Sequence, residues 1–84
     1  MISRYAYSLH EQAIQAMIAA ADSERAELLW LFETLAREPG RRGTENVIDE
    51  AGRTHEVTYT ANFRVVYWPD HAIKELRITD VRLY

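Results

Sequence analysis

The sequence contains no cysteine. That excludes a disulfide framework and any zinc site built on thiolates. Two prolines and three glycines leave no low-complexity tract and no linker to a second domain, and no internal repeat is present. No apolar run is long enough to span a bilayer as a helix, and the opening MISRYAYSLHEQ lacks the basic-then-apolar pattern of a secretory signal. A cytoplasmic protein without membrane contact is the expectation. The three histidines, His10, His55 and His71, form no pair at metal-ligand spacing on one element, so neither a metal nor another cofactor is expected. Lysine is nearly absent as well: Lys74 stands alone beside nine arginines. Arginine carries a planar fork suited to phosphate, whereas lysine is a point charge.

What is present is one small domain, residues 1–84. A chain of this length buries only about 60% of its unfolded surface, so its stability is marginal and gains from a partner. The net charge of −3 argues against a strong nonspecific nucleic-acid binder. The charge is unevenly spread. Over residues 1–36, Glu11, Asp22, Glu24, Glu27 and Glu33 outnumber Arg4 and Arg25, whereas over residues 63–84 Arg64, Lys74, Arg77 and Arg82 slightly outnumber Asp70, Glu75 and Asp80.

Loose alternation over Ile2 to Tyr7 predicts a first strand. Ser8-Leu9-His10-Glu11 fits a capping box, and a helix over about 9–20 follows, with Ala13, Ile14, Met17, Ile18 and Ala21 on one face. Asp22-Ser23 breaks it and caps a second helix to about Glu38. There Leu28, Leu31, Phe32 and Leu35 form the apolar stripe, Leu29 and Trp30 broaden it toward cover on more than one side, and Pro39-Gly40 ends it. The two helices make an antiparallel hairpin. A short strand at Asn46–Glu50, a turn at Ala51-Gly52, strands over Arg53–Thr60 and Phe63–Trp68, a turn at Pro69-Asp70-His71 and a long strand over Ile73–Val81 complete the chain. Short connections between successive strands imply an antiparallel meander. The fold class is α+β: a strand and helical hairpin packed on one face of a small antiparallel sheet.

Alternate residues of a strand point to opposite faces. Phe63, Val65 and Tyr67 therefore share one face, expected beneath the helices with Leu76, Ile78, Val57 and Tyr59; which parity of the 53–60 strand turns inward is open. The other face exposes Arg64 and Arg77 beside Val66 and Trp68. Such a platform of cations and aromatics on a rigid element suits a functional site. The bland alternatives stand beside it: Arg64 paired across the sheet with Glu56 or Glu75, Arg41-Arg42 as a solvated loop pair, Tyr84 as a frayed end, His55 and His71 as ordinary strand and turn residues with nothing to position either as a base, and Trp30 and Trp68 as core or partner-facing residues.

The element order and the Phe63-Arg64-Val65-Val66-Tyr67 strand resemble the RelE/ParE superfamily of bacterial toxins from type II toxin–antitoxin systems. The resemblance covers nearly the whole chain. The order of elements is fairly specific and the five-residue motif alone is weak. It implies an antitoxin partner and one of two activities: ribosome-dependent cleavage of mRNA without a metal, as in RelE-like members, or inhibition of DNA gyrase by binding, as in ParE-like members. On the first, Arg64 would bind the scissile phosphate, Arg82 would occupy the C-terminal basic position, and Tyr84 would stack on a base or transfer a proton. Arg77 joins the substrate-binding candidates from the face argument, and Arg41 and Arg42 from their pairing in a loop. Chemistry of this kind needs cations to offset charge on the phosphorane-like transition state and a group to activate the 2′-hydroxyl. The chain departs from RelE-like nucleases in its acidic balance and in Asp80 within the final segment. An inactive relative serving as a protein-binding or homodimerising module, and an unrelated α+β interaction domain, are the competing readings.

Overall fold

The computed structural model of the protein describes residues 4–84. Its elements are β1 (Ala6–Leu9), α1 (Glu11–Ala19), α2 (Asp22–Arg37), β2 (Glu45–Ile48), β3 (Thr54–Tyr59), β4 (Phe63–Asp70) and β5 (Glu75–Leu83). The five strands form one sheet in the order β1-β5-β4-β3-β2. β2 to β5 are the expected antiparallel meander, and β1 returns parallel to β5 after the helical hairpin. Positions 2 and 3 of the expected first strand lie outside the described residues, and the strand extends later than expected, through Leu9.

That extension removes Ser8 from any capping role. Ser8 is in β1, and its hydroxyl donates to Glu75 Oε1 at 2.9 Å. α1 instead starts after His10, whose backbone N–H joins the Ile78 carbonyl at 2.9 Å. α2 is likewise capped by another device than Asp22-Ser23: the Glu24 carboxylate reaches back to the Ala21 N–H at 2.9 Å. Gln12 performs a further repair. β1 ends opposite Ile78, which leaves the outer edge of β5 unpaired beyond it. The Gln12 amide donates to the Val81 carbonyl (2.6 Å) and accepts from the Val81 N–H (2.7 Å), standing in for a strand.

The core lies between the helices and one sheet face. Leu28, Leu31, Phe32 and Leu35 of α2 and Ala13 of α1 pack on Phe63, Val65, Tyr67, Leu76, Ile78 and Val81. The expected α1 face is rotated: Ala16, Met17 and Ala20 approach the core, whereas Ile14 and Ile18 are exposed. Leu29 and Trp30 are exposed too, so α2 is covered on one side only.

A second correction concerns β3. Val57 pairs with Val66 and Tyr59 with Arg64, and directly paired residues share a face. Val57 and Tyr59, with His55, therefore lie on the face away from the helices. The inward residues of β3 are Glu56 and Thr58, opposite Tyr67 and Val65. The register of β4 against β5 shifts between Val66 and Tyr67. This bulge leaves Thr79 as the extra residue, its hydroxyl donating to the Val66 carbonyl at 3.2 Å. It lets both Ile78 and Val81 face the core, which strict alternation forbids.

Candidate functional site

The open face of the sheet has two polar ends separated by Val57 and Val66, a buried pair in register. At one end Arg64 lies between Tyr59 on β3 and Arg82 on β5, its direct partners across the sheet. The Tyr59 hydroxyl donates to Glu45 Oε1 of β2 at 2.5 Å. That hydrogen bond is the main reason the Tyr59 pKa is raised, and the Arg64 guanidinium beside it acts in the opposite direction. Tyr84 completes the corner. Its N–H donates to the Asn62 carbonyl at 2.8 Å and its ring lies 4.8 Å from the Tyr59 ring, so the terminus is tied down, with the ring exposed.

Arg64 is the distinctive member. Neither Glu56 nor Glu75 pairs with it: Glu56 is on the helix side, accepting the Gly43 N–H at 2.8 Å, and Glu75 is at the opposite end of β5. Among the described residues Arg64 forms no salt bridge. Arg82, by contrast, is paired with Asp80 at 3.0 Å on an exposed part of the face.

The other end is built around Trp68. Arg53 stacks on the indole at 3.8 Å and Arg77 lies 5.5 Å from it. Arg77 is paired with Asp70 (3.4 Å) and Glu75 (3.8 Å). Trp68 is thus neither in the core nor free for stacking by a ligand. The His55 ring meets Trp68 edge-on at 6.3 Å and holds Asp49 through Nε2 at 2.8 Å. Asp49 also accepts the N–H groups of Ala51 and Arg53, each at 2.9 Å. The bond from His55, ahead of the backbone donors, lowers the Asp49 pKa. His55 and His71 are thus the strand and turn residues expected, each with a partner the sequence did not show: His55 with Asp49, and His71 with the Tyr5 hydroxyl at 2.7 Å.

The face thus brings Arg64, Arg82 and Tyr84 together and places Arg77 at the far end. It does not gather Arg41 and Arg42. These lie on the helix side of the sheet, in the loop after α2, where the Arg41 carbonyl accepts from Tyr67 Oη at 3.2 Å and Arg41 pairs with Glu38 at 3.6 Å. Sequence reasoning missed Tyr59, Glu45, Arg53, His55 and Asp49. Arg53, His55 and Tyr59 alternate, so the register of β3 against β4 that places Tyr59 on the open face places all three there, a register the sequence leaves open. Among the described residues no group of three or more His, Asp or Glu side chains is placed to hold a metal, and no helix is long and apolar enough to cross a membrane.

A chain of the toxin–antitoxin complex RelBE2 of Mycobacterium tuberculosis superposes on this one with a TM-score of 0.79 at 19% identity, covering 98% of this chain and 100% of that one. The chain has a RelE-like fold. A chain of the archaeal RelE–RelB complex from Pyrococcus horikoshii OT3 gives a TM-score of 0.76 at 17% identity, over 96% of each chain. No family model and no curated protein matches the sequence. The RelE-like likeness thus lies in the course of the backbone, and the chemistry has to be argued from the side chains of the open face.

Proposed function

We propose that the protein is the toxin of a type II toxin–antitoxin pair and that its open sheet face cleaves RNA in the manner of a RelE-like endoribonuclease. The observation that carries the reading is Arg64: a guanidinium fixed on the central strand β4, without a carboxylate partner among the described residues, between two tyrosines and a second arginine. A cation so placed is free for the charge that develops on a phosphodiester during transfer. In this reading Arg64 holds the scissile phosphate, with Arg82 beside it. The ribose 2′-oxygen bonds to phosphorus as its proton passes to the Glu45 carboxylate, which Tyr59 orients. The bond from phosphorus to the 5′-oxygen breaks, and that oxygen takes a proton from the Tyr84 hydroxyl.

The antitoxin partner follows from the same fold likeness, since both neighbours were found as toxin–antitoxin complexes. The surface supports it: Ile14, Ile18, Leu29 and Trp30 leave apolar area on the outer side of the helices, the kind of area that partners cover. A cytoplasmic location fits a toxin that meets the ribosome.

The test is cell-free translation with purified protein, followed by primer extension on the ribosome-bound mRNA. Discrete cuts that disappear in Arg64→Ala support the reading. Intact mRNA with undiminished translation overturns it and moves the assay to DNA supercoiling by gyrase, then to a non-toxic binding or homodimerising module.

A further inference from the structure

The strands that carry Tyr59 and Arg64 are joined by the turn Thr60-Ala61-Asn62. Only one of its closing bonds is purely backbone, the Thr60 N–H to the Phe63 carbonyl at 2.9 Å. The Phe63 N–H goes instead to the Thr60 hydroxyl oxygen at 3.0 Å, which the Asn62 N–H also approaches at 3.3 Å. The shape of the turn therefore depends on where the Thr60 hydroxyl is held.

It is held from the helix side of the sheet, by Glu27 of α2. The Glu27 carboxylate accepts the Thr60 hydroxyl and the Asn62 N–H (3.2 Å) on one oxygen and Asn62 Nδ2 (2.9 Å) on the other. An ionised carboxylate is an acceptor on both oxygens, and here each oxygen is used by the turn. The Thr60 bond, opposed by burial and assisted by both Asn62 donors, holds the Glu27 carboxyl below the usual carboxylate range. Asn62 then faces two ways. Its N–H and side-chain amide are on Glu27, and its carbonyl accepts the Tyr84 N–H at 2.8 Å.

We propose that Glu27 is a positioning residue for RNA cleavage, acting through the Thr60–Asn62 turn on Tyr84. The proposal rests on the open face being the cleaving face. A hydroxyl that gives a proton to the departing 5′-oxygen must lie within hydrogen-bond reach as the bond breaks. Arg64 sits on a strand flanked by β3 and β5 and is placed by the sheet itself. Tyr84 lies just beyond the end of β5 and is placed by its bond to Asn62 and its ring contact with Tyr59. The clamp on Asn62 therefore governs the proton donor more than the phosphate-binding cation, and Glu27 serves the reaction without touching RNA.

The experiment is cleavage of ribosome-bound mRNA by the full chain at varied protein concentration, alongside NMR of the free protein. Glu27→Ala should lower the maximal rate about tenfold, the cost of a small misplacement of a reacting group. The concentration for half-maximal rate should move by less than about twofold, since Arg64 still binds the phosphate. Cross-peaks between the Tyr59 and Tyr84 rings should weaken. Glu27→Gln should restore most of the rate: its carbonyl oxygen takes the Thr60 hydroxyl and the Asn62 N–H, and the Asn62 amide turns over to accept from the new NH₂ group. In a Tyr84→Phe background Glu27→Ala should cost less than about twofold, because the group it places is already gone. A full, additive loss in that background overturns the proposal. So does a lower melting temperature with rate and cross-peaks unchanged, which would make Glu27 a brace for stability alone. Should Glu27→Ala fail to fold, Asn62→Ala keeps the carbonyl and removes one donor of the three; it should lose about threefold in rate, the worth of one hydrogen bond, and a wild-type rate there overturns the proposal. Unchanged cleavage in Glu27→Ala with cleavage lost in Arg64→Ala leaves the Arg64 reading standing alone. Wild-type protein that cuts no RNA overturns both.

Discussion

Arg64 and Arg77 are alike in every respect that a sequence displays. Each is an arginine in a confident strand, each belongs to the parity that turns away from the helices, and each has an aromatic neighbour across the sheet. Their surroundings differ. Arg77 is held between two carboxylates and leans on Trp68. Arg64 faces Tyr59 on one side and another arginine on the other. Parity tells which way a cation points; the acids delivered by neighbouring strands decide whether it is free. The comparison is broken most directly by deleting each guanidinium in turn. Arg64→Ala is expected to lower mRNA cleavage by about 10²-fold or more, the loss seen when a donor to developing charge is removed, with the melting temperature unchanged. Arg77→Ala is expected to keep cleavage within about threefold and to lower stability by about 1 kcal/mol, since it leaves Asp70 and Glu75 without their partner. Cleavage and thermal melts on the two variants check both halves. Equal activity losses would erase the distinction.

The same contrast appears between two tyrosines on opposite faces. The Tyr67 hydroxyl is pushed up to about 12, chiefly by burial and then by Glu56. Tyr59 is raised chiefly by its bond to the Glu45 carboxylate. A tyrosine whose folded pKa exceeds its unfolded value favours the folded state fully below the unfolded pKa and loses that contribution as pH climbs. For Tyr67 the window runs from pH 10 to about 12, and the loss amounts to about 3 kcal/mol. Urea melts across this range should show stability falling in the wild type and a shallower fall in Tyr67→Phe. That variant should start about 1 kcal/mol lower near neutrality for want of the bond to the Arg41 carbonyl. An identical slope in the variant would assign the alkaline loss to other groups.

Much of this fold was legible, for identifiable reasons. The inward stripe of α2 is a plain helical repeat ending at Pro39-Gly40, and Phe63, Val65 and Tyr67 alternate without interruption, so periodicity fixed both. The parity of β3 was not legible. His55, Val57 and Tyr59 look as apolar as an inward set, and only the register against β4 shows that Glu56 and Thr58 turn toward the helices instead. Glu56 is accommodated there because it accepts the Gly43 N–H, a contact between segments that no local pattern announces. Ser8 and Glu11 satisfied a capping pattern, yet pairing of β1 with β5 recruited Ser8 to Glu75: a long-range strand contact prevailed over a local hydrogen bond. For the site, alternation put Arg64 on the open face, whereas Arg82 and Tyr84 came from the resemblance: strict alternation from Arg77 would turn Arg82 toward the helices, and only the bulge at Thr79 brings it opposite Arg64. Glu45 and Asp49 could be placed by neither, because both come from the edge strand β2 and its turn, whose position is set by pairing rather than by any pattern of their own.

Gly43 is the joint that holds β2 and its acids in place, and it sharpens the comparison by moving only one end. A Cβ there would lie 2.3 Å from the Val57 carbonyl oxygen and 2.8 Å from its nitrogen. The neighbouring Thr44 N–H donates to that same carbonyl at 2.9 Å, so the backbone has little room to retreat. Gly43→Ala is expected to lower stability by about 2 kcal/mol through overpacking. It should also displace Glu45 from Tyr59 more than it disturbs Arg77. Denaturant melts, with tyrosine and tryptophan side-chain NMR reporting on the two ends, provide the check. A variant of wild-type stability would show that the loop yields freely.

The smallest effect, and the sharpest for the comparison, comes from making Arg77 resemble Arg64. Asp70→Asn with Glu75→Gln keeps the size and hydrogen-bonding shape of both side chains and removes their charge. The two ion pairs are only half-buried, and the neutral amides can still accept from Arg77 and Ser8, so the double variant should fold with a loss of about 1 kcal/mol. Its Arg77 guanidinium then stands on the same face as Arg64 and equally unpaired, though still beside Trp68. If an absent carboxylate is what makes Arg64 available, affinity for a short single-stranded RNA should rise by about two- to fivefold, with a steeper salt dependence. Cleavage should not gain a second position, because Glu45, Tyr59 and Tyr84 remain at the other end. An affinity that stays flat would mean that Trp68, rather than the two acids, keeps Arg77 from the ligand, and the difference between the two ends would then be one of stacking instead of charge.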